Sequence, residues 1–99
     1  MPGATVGGIG GGTEPMDVSV TIVNWNAAEA LAACLRSVYA TRPTVAYEVI
    51  VVDNGSDDAR VAAVMEEFPR ATWLRNPTNV GFGRAQNQAV GYLFPMGPF

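Results

Sequence analysis

The chain has 99 residues and a formal net charge of -3, with nine acidic residues against six arginines and neither lysine nor histidine. The length allows one domain at most, and the arginines are scattered singly, which excludes the clustered positive charge that nucleic-acid binding requires. Without histidine, hydrolases with a histidine base are excluded, and the single cysteine, Cys34, excludes an intrachain disulfide.

Residues 1–15 are dominated by glycine and differ from the rest of the chain. Six of the eleven glycines lie within residues 1–12, and glycine loses more backbone entropy on folding than any other residue. The stretch at residues 8–13 lacks the third glycine of a dinucleotide-binding fingerprint and precedes a strand, where that motif must follow one. We therefore predict a flexible Gly-rich tail over residues 1–15.

The first regular segments are a strand and a helix. Residues 18–23 are rich in β-branched side chains, which predicts a strand. Residues 27–40 place apolar side chains at helical spacing, which predicts an amphipathic helix. Asn26 is the expected N-cap of this helix, and Glu29 completes a capping-box pattern.

The second half of the chain repeats the alternation. Residues 47–52 predict a strand, and its continuous apolar run is typical of a strand covered on both faces. A helix is expected to open at residues 56–58 and to end before Pro69, followed by a short strand over residues 71–75. A third helix is expected from Gly81 to about Leu93, with Phe82, Ala85 and Ala89 facing inward.

The order β-α-β-α-β-α predicts an α/β protein: a three-layer α/β/α arrangement with a mostly parallel sheet, equivalent to a Rossmann-like half of a larger fold. Ligands of such sheets bind outside the carboxyl ends of the strands, and polar residues follow all three predicted strands. The carboxylate of Asp53 is the clearest candidate, because a carboxylate directly after a buried strand is costly unless something pairs with it.

Three ordered blocks of sequence resemble the start of family-2 glycosyltransferases, over roughly residues 17–92. The blocks are Val23-Asn24-Trp25-Asn26, then Glu48 to Gly55-Ser56-x-Asp58, and then Arg75-Asn76-x-x-Asn79-x-Gly81-Phe82-Gly83-x-Ala85-x-Asn87. Their asparagine-rich form is similar to the rhamnosyltransferase-like subgroup. The resemblance implies a GT-A fold, of which this chain would be the N-terminal nucleotide-binding half.

By resemblance, the protein is a hexosyltransferase-type enzyme that binds a UDP- or dTDP-sugar for inverting transfer to a glycan or lipid-linked acceptor, in cell-surface polysaccharide or glycan synthesis. Asp53 would accept a hydrogen bond from the base imide, and Arg75 or Arg84 would offset the charge of the pyrophosphate. The residues implied in nucleotide-sugar binding are Asn24, Trp25, Asn26, Asp53, Asn54, Gly55, Ser56, Asn76, Asn79, Gly81, Arg84 and Asn87.

The same resemblance implies a divalent metal, Mg²⁺ or Mn²⁺, held by carboxylates that follow the third helix in the family. No carboxylate follows Glu67 in this sequence, and hard cations want oxygen ligands, so we expect the metal ligands and the catalytic residues to be absent from this chain. We expect a nucleotide-sugar-binding half over residues 16–94, an irregular end over residues 95–99, and a truncated sheet whose first strand has an exposed edge through which the chain self-associates.

Two other interpretations remain open from the sequence. One is an inactive remnant with at most weak nucleotide binding, and the other is a Rossmann-like nucleotide-binding module unrelated to glycosyl transfer. A flavodoxin-like or dinucleotide-binding module would need glycine after the first strand, where residues 24–28 have none. We expect a cytoplasmic location, with peripheral association at the inner face of the membrane as the alternative.

Overall fold

The computed structural model describes residues 3–13, 16–41 and 44–93. Strands and helices alternate from the second strand onward. The elements are β1 (Gly3–Thr13), β2 (Met16–Trp25), α1 (Ala28–Ala40), β3 (Tyr47–Asn54), α2 (Arg60–Glu67), β4 (Thr72–Asn76) and α3 (Phe82–Leu93). From β2 onward, each element overlaps one that the sequence predicts.

The strands form one sheet in the order β1-β2-β3-β4. β3 pairs in parallel with β2 on one side and with β4 on the other. Parallel neighbours need long crossover connections, and α1 and α2 supply them. The three parallel strands with their three helices confirm the predicted α/β class and the Rossmann-like half.

β1 corrects two sequence-based expectations. Residues Gly3–Thr13 pair antiparallel with β2 from Gly3↔Trp25 to Thr13↔Met16, so the prediction of a flexible tail is wrong for them, and β2 has no exposed edge along this register. The physical reason is that a free strand edge offers a row of N–H and C=O groups. Pairing with it uses main-chain groups that every non-proline residue carries, and residues 3–13 contain no proline. The expected irregular end at residues 95–99 lies outside the described residues.

The sheet separates two apolar clusters. On one face, Val49 and Val51 of β3 pack in a cluster with buried residues of α1 and α2. On the other face, Ile50 and Val52 pack with Ala85 and Ala89 of α3. Successive side chains of a strand point to opposite faces, so the odd-numbered residues of β3 face α1 and α2 and the even-numbered residues face α3. This alternation decides where the polar residues at the end of β3 point.

Two details at helix starts differ from the sequence-based expectation. Asn26 has a left-handed φ of 49°, and α1 begins after Ala27 without a side-chain cap. The Asn26 Oδ1 instead accepts hydrogen bonds from the backbone N–H groups of Asp57 at 2.7 Å and Asp58 at 3.3 Å, so the predicted capping box is wrong. Phe82, expected to face inward, is 53% exposed because it stands at the first position of α3, beyond the edge of the apolar cluster.

Among the residues that the structure describes, no helix has the length and apolar character needed to cross a lipid bilayer.

Candidate functional site

The predicted polar residues that follow the strands lie side by side at one edge of the sheet. In the strand register Asn24 pairs with Asp53, and Asp53 pairs with Arg75. One position further on, Asn54 pairs with Asn76. These pairings form the carboxyl edge of the three parallel strands, which we call the polar edge. The polar residues expected after the three parallel strands thus lie at the same edge of the sheet.

Alternation along the strands divides the polar edge into two hydrogen-bonded groups on opposite faces. Asn24, Asp53 and Arg75 continue the rows of side chains that face α1 and α2, and Asn54 and Asn76 continue those that face α3. The sequence predicts polar residues after each of the three strands at one edge, and the structure arranges them in two neighbouring groups that share the sheet backbone. The first group surrounds a buried carboxylate, and the second holds the loop between β4 and α3.

The first group is centred on the carboxylate of Asp53, whose side chain is only 1% exposed. Its Oδ1 accepts a hydrogen bond from Asn24 Nδ2 at 3.1 Å and a short one from the hydroxyl of Ser56. Its Oδ2 accepts from Nε and Nη2 of Arg75, both at 3.3 Å. Burial of an unpaired carboxylate costs several kcal/mol, so Arg75 supplies the charge compensation that Asp53 needs.

Ser56 ties the ends of β2 and β3 together. Its Oγ accepts a hydrogen bond from the backbone N–H of Asn26 at 2.9 Å and lies 3.4 Å from Asn24 Nδ2. Together with the bonds that Asn26 Oδ1 accepts from the turn that precedes α2, this fixes the two connecting segments against each other. Ser56 and Asn26, both predicted as binding residues, therefore hold the site in shape.

The second group is centred on Asn54, which is 2% exposed. Its Nδ2 donates to Asn79 Oδ1 at 2.9 Å and to the Gly81 carbonyl at 3.3 Å. Its Oδ1 accepts from Asn76 Nδ2 at 3.1 Å and from the Val80 backbone N–H at 3.0 Å. These four bonds use both amide protons and both acceptor positions of the side chain, so Asn54 organises the loop between β4 and α3 and has no bond left for a ligand.

Gly55 makes the close approach of that loop possible. It has a φ of +80°, and a Cβ at this position would stand 2.4 Å from the Thr78 carbonyl carbon and 2.5 Å from the Asn79 nitrogen. Gly81 also has a positive φ, +88°, but no atom lies within 4 Å of where its Cβ would be. Both glycines are therefore required by backbone conformation, and Gly55 by space as well.

The remaining predicted residues take more peripheral positions. Trp25 is half-buried at the end of β2, while Arg84 and Asn87 are exposed on the first turns of α3. Gln88 was missed by sequence reasoning: it exchanges two amide hydrogen bonds of 2.8 Å with Asn76. Its position one helical turn after Arg84 was the only available signal, and that signal does not identify a partner.

One buried polar atom of the polar edge has no hydrogen-bond partner in the described structure. Asn24 is fully buried, and its Oδ1 is unpartnered, although its Nδ2 bonds Asp53. The reverse orientation of the amide would set Oδ1 against the Asp53 carboxylate, and repulsion between the two oxygens disfavours it. An acceptor left unsatisfied costs about 1–3 kcal/mol, which a donor from solvent or ligand would recover.

The residues present do not fit the divalent metal that the resemblance implies. No group of three or more His, Cys, Asp or Glu residues is close enough to hold a metal within the described residues. Both oxygens of Asp53 are already bonded, and the carboxylate of Asp58 is held by the Arg60 guanidinium at 2.8 Å. Hydrogen bonds from the Arg60 side chain lower the pKa of Asp58, with a further bond from its backbone N–H. The polar edge is built of hydrogen-bonding groups and offers directional recognition.

Comparison with known proteins agrees with the architecture. The family described as Glycosyl transferase family 2 matches residues 19–93, from β2 to the end of α3. Searches of the curated proteins and of the solved structures give no significant match.

Proposed function

Because the chain belongs to glycosyl transferase family 2, we propose that its polar edge binds the nucleotide part of a nucleotide-diphospho-sugar donor. The base and ribose would lie against the ends of β2 and β3, beside Asn24, Trp25 and Asp53. The diphosphate would extend towards the exposed side chains of Arg75 and Arg84. In this proposal the edge recognises the donor, and no step involves a metal.

The single observation that carries the proposal is the asymmetry of the Asp53 carboxylate. Its Oδ1 is bonded inside the fold by Asn24 and Ser56. Among the described residues its Oδ2 bonds Arg75 alone, whose side chain is 45% exposed. Oδ2 is therefore the oxygen that a ligand N–H would reach once the Arg75 guanidinium moves aside. A base that lacks this N–H would leave the carboxylate unpaired, which is how buried polar groups give selectivity.

The imide N–H of uracil or thymine is a hydrogen-bond donor that suits Asp53 Oδ2. We therefore propose a uridine or thymidine diphosphate sugar as the substrate class. Inverting transfer of a hexose to a glycan or lipid-linked acceptor, and membership of the rhamnosyltransferase-like subgroup, are the finer parts of the proposal. They rest on the asparagine-rich motifs around Asn24, Asn54 and Asn79.

Isothermal titration calorimetry of the full chain with UDP and dTDP tests the binding. The decisive variant is Asp53→Asn, which keeps the size of the side chain and removes its charge. Loss of one charge-assisted hydrogen bond should weaken binding about 10- to 100-fold. Asp57→Asn is the matched control, since Asp57 is an exposed carboxylate on the same connection and its side chain has no role in the proposal.

Equal weakening by the Asp53 and Asp57 variants would contradict the proposal, because the effect would then be one of general charge. Cytidine diphosphate serves as the base control, because N3 of cytosine carries no hydrogen, and it should bind at least tenfold more weakly than UDP or dTDP. A chain that binds the nucleotide without transferring sugar from a UDP- or dTDP-sugar would support the alternative of a binding module.

A further inference from the structure

We propose that Arg75 is the exchangeable partner of Asp53: its guanidinium covers Oδ2 in the free protein and moves to the diphosphate when the nucleotide binds. This inference rests on the proposed function and adds to it the identity of the phosphate-binding arginine. It also makes the free site self-occluded, since the protein's own cation occupies the position that the base would take.

The geometry of the Asp53–Arg75 pair favours exchange. Both hydrogen bonds measure 3.3 Å, whereas charge-assisted bonds between guanidinium and carboxylate groups are ordinarily about 2.7–2.9 Å long. On the other oxygen, Ser56 and Asn24 are held by further contacts between the ends of β2 and β3. Of the partners of Asp53, only Arg75 can leave without disturbing those contacts.

The position of Arg75 permits the movement. It lies on β4, an edge strand of the described sheet, and its side chain is 45% exposed. A long exposed side chain on a strand edge changes rotamer within nanoseconds and without unfolding. The guanidinium is thus tethered next to the carboxylate, with solvent on its other side.

Charge explains why the exchange needs a diphosphate. In the free protein the guanidinium of Arg75 compensates the buried charge of Asp53, and the base N–H of a nucleoside is a neutral donor that offers the displaced guanidinium no new ionic partner. A nucleoside diphosphate brings both a base donor for Oδ2 and negative charge for the guanidinium. Arg75 would keep a strong ionic partner throughout, while a nucleoside without phosphates would have to compete with it.

Arg84 is the rival for the same task. It lies exposed on the first turns of α3 and, within the described residues, forms no hydrogen bond or ion pair to the polar edge. Nothing therefore couples Arg84 to the carboxylate that would receive the base. Arg75 is the arginine whose release and capture are linked to base binding by direct contact.

The test compares nucleoside with nucleoside diphosphate binding in the full-length chain, using uridine, UDP, thymidine and dTDP. For Arg75→Gln we expect about tenfold or greater loss of diphosphate affinity, the size expected for a lost charge-assisted contact. Nucleoside affinity should be unchanged or improved, because the competitor for Oδ2 has gone. A purely structural Arg75 would weaken both ligands equally, so the ratio of the two affinities is the decisive measurement.

Arg75→Lys keeps the charge and covers the case in which the glutamine variant does not fold; it should retain most of the diphosphate preference. Arg36→Gln is the matched control, because Arg36 pairs with Glu67 on the exposed surface between α1 and α2. In the wild-type chain, the NMR signal of the Arg75 side-chain N–H should shift on adding diphosphate and stay near its free position with nucleoside.

An unchanged affinity ratio in Arg75→Gln, or collapse of the ratio in Arg84→Gln instead, would overturn this inference and leave the proposed nucleotide site standing. If the wild-type chain binds none of the four ligands, the proposed function fails and the inference fails with it. The two failures are therefore distinguishable.

Discussion

Replacing Gly55 by alanine tests whether the close contact between the β3–α2 connection and the loop before α3 shapes the polar edge. The backbone of Gly55 has a φ of +80°, and an added Cβ would stand 2.4 Å from the carbonyl carbon of Thr78. That neighbour is main chain and cannot rotate away. The loop would have to move as a body, which would strain the bond that Asn54 accepts from the Val80 N–H and the bond that it donates to the Gly81 carbonyl.

The expected cost has two parts. A non-glycine residue in the left-handed region costs about 1–2 kcal/mol, and forcing extra atoms into a packed contact costs about 1–3 kcal/mol. Gly55→Ala should therefore lower the free energy of unfolding by about 2–5 kcal/mol. Domains of this size have total stabilities of about 5–15 kcal/mol, so the variant should be visibly destabilised.

Gly81→Ala is the matched control, because Gly81 has a φ of +88° but open space where its Cβ would stand. It should lose only the conformational part, about 1–2 kcal/mol. Urea unfolding followed by circular dichroism gives both values, and the difference between them isolates the steric contact. Equal destabilisation of the two variants would refute the close approach at Gly55.

Two further predictions concern single side chains. Asn54→Asp places a carboxylate oxygen against Asn79 Oδ1 and the Gly81 carbonyl. Urea unfolding at neutral pH should therefore show a free energy of unfolding lower by at least about 1–3 kcal/mol, and the difference should shrink in acid, where the carboxylate is protonated. A variant as stable as wild type at neutral pH would contradict this. The pKa of Asp58 is lowered in the folded state by hydrogen bonds from Arg60. The stabilisation by Asp58 is therefore present above its unfolded pKa of 3.8, and it is lost as the pH falls through the lower folded pKa. Thermal unfolding should accordingly find Asp58→Asn less stable than wild type at neutral pH and equal to it in strong acid, and a gap that persists in acid would rule out this ion pair as the cause.

The elements from β2 to α3 were predictable because their signals are local. The apolar run at residues 49–52 marks β3, and apolar spacing along α1 and α2 marks the faces that they bury. β1 was not predictable in this way, because its pairing depends on a free edge of β2, which lies elsewhere in the sequence. Asn26 failed as a cap for the same kind of reason: distant N–H groups of Asp57 and Asp58 compete for its side chain.

The location of the candidate site was predictable from the sequence, and the hydrogen-bond partners within it were not. Parallel strand order alone brings Asn24, Asp53 and Asn76 to one edge, and the structure confirms their position. Their partners depend on the register between β3 and β4, in which a shift of one residue would turn Arg75 away from Asp53. The sequence contains no local signal for that register, so it left Arg75 and Arg84 as equal candidates for the phosphate.

β4 gives the polar edge a particular weakness. It has five residues, is only partly buried, and lies at the border of the sheet, yet it carries both Arg75 and Asn76. Short border strands are among the first segments to open in native-state fluctuations, at a small fraction of the global unfolding free energy. The pairing of Asp53 with Arg75 in the free protein therefore depends on β4 staying closed. Brief fraying of this one short strand, and not collapse of the core around β3, sets how long the polar edge remains intact.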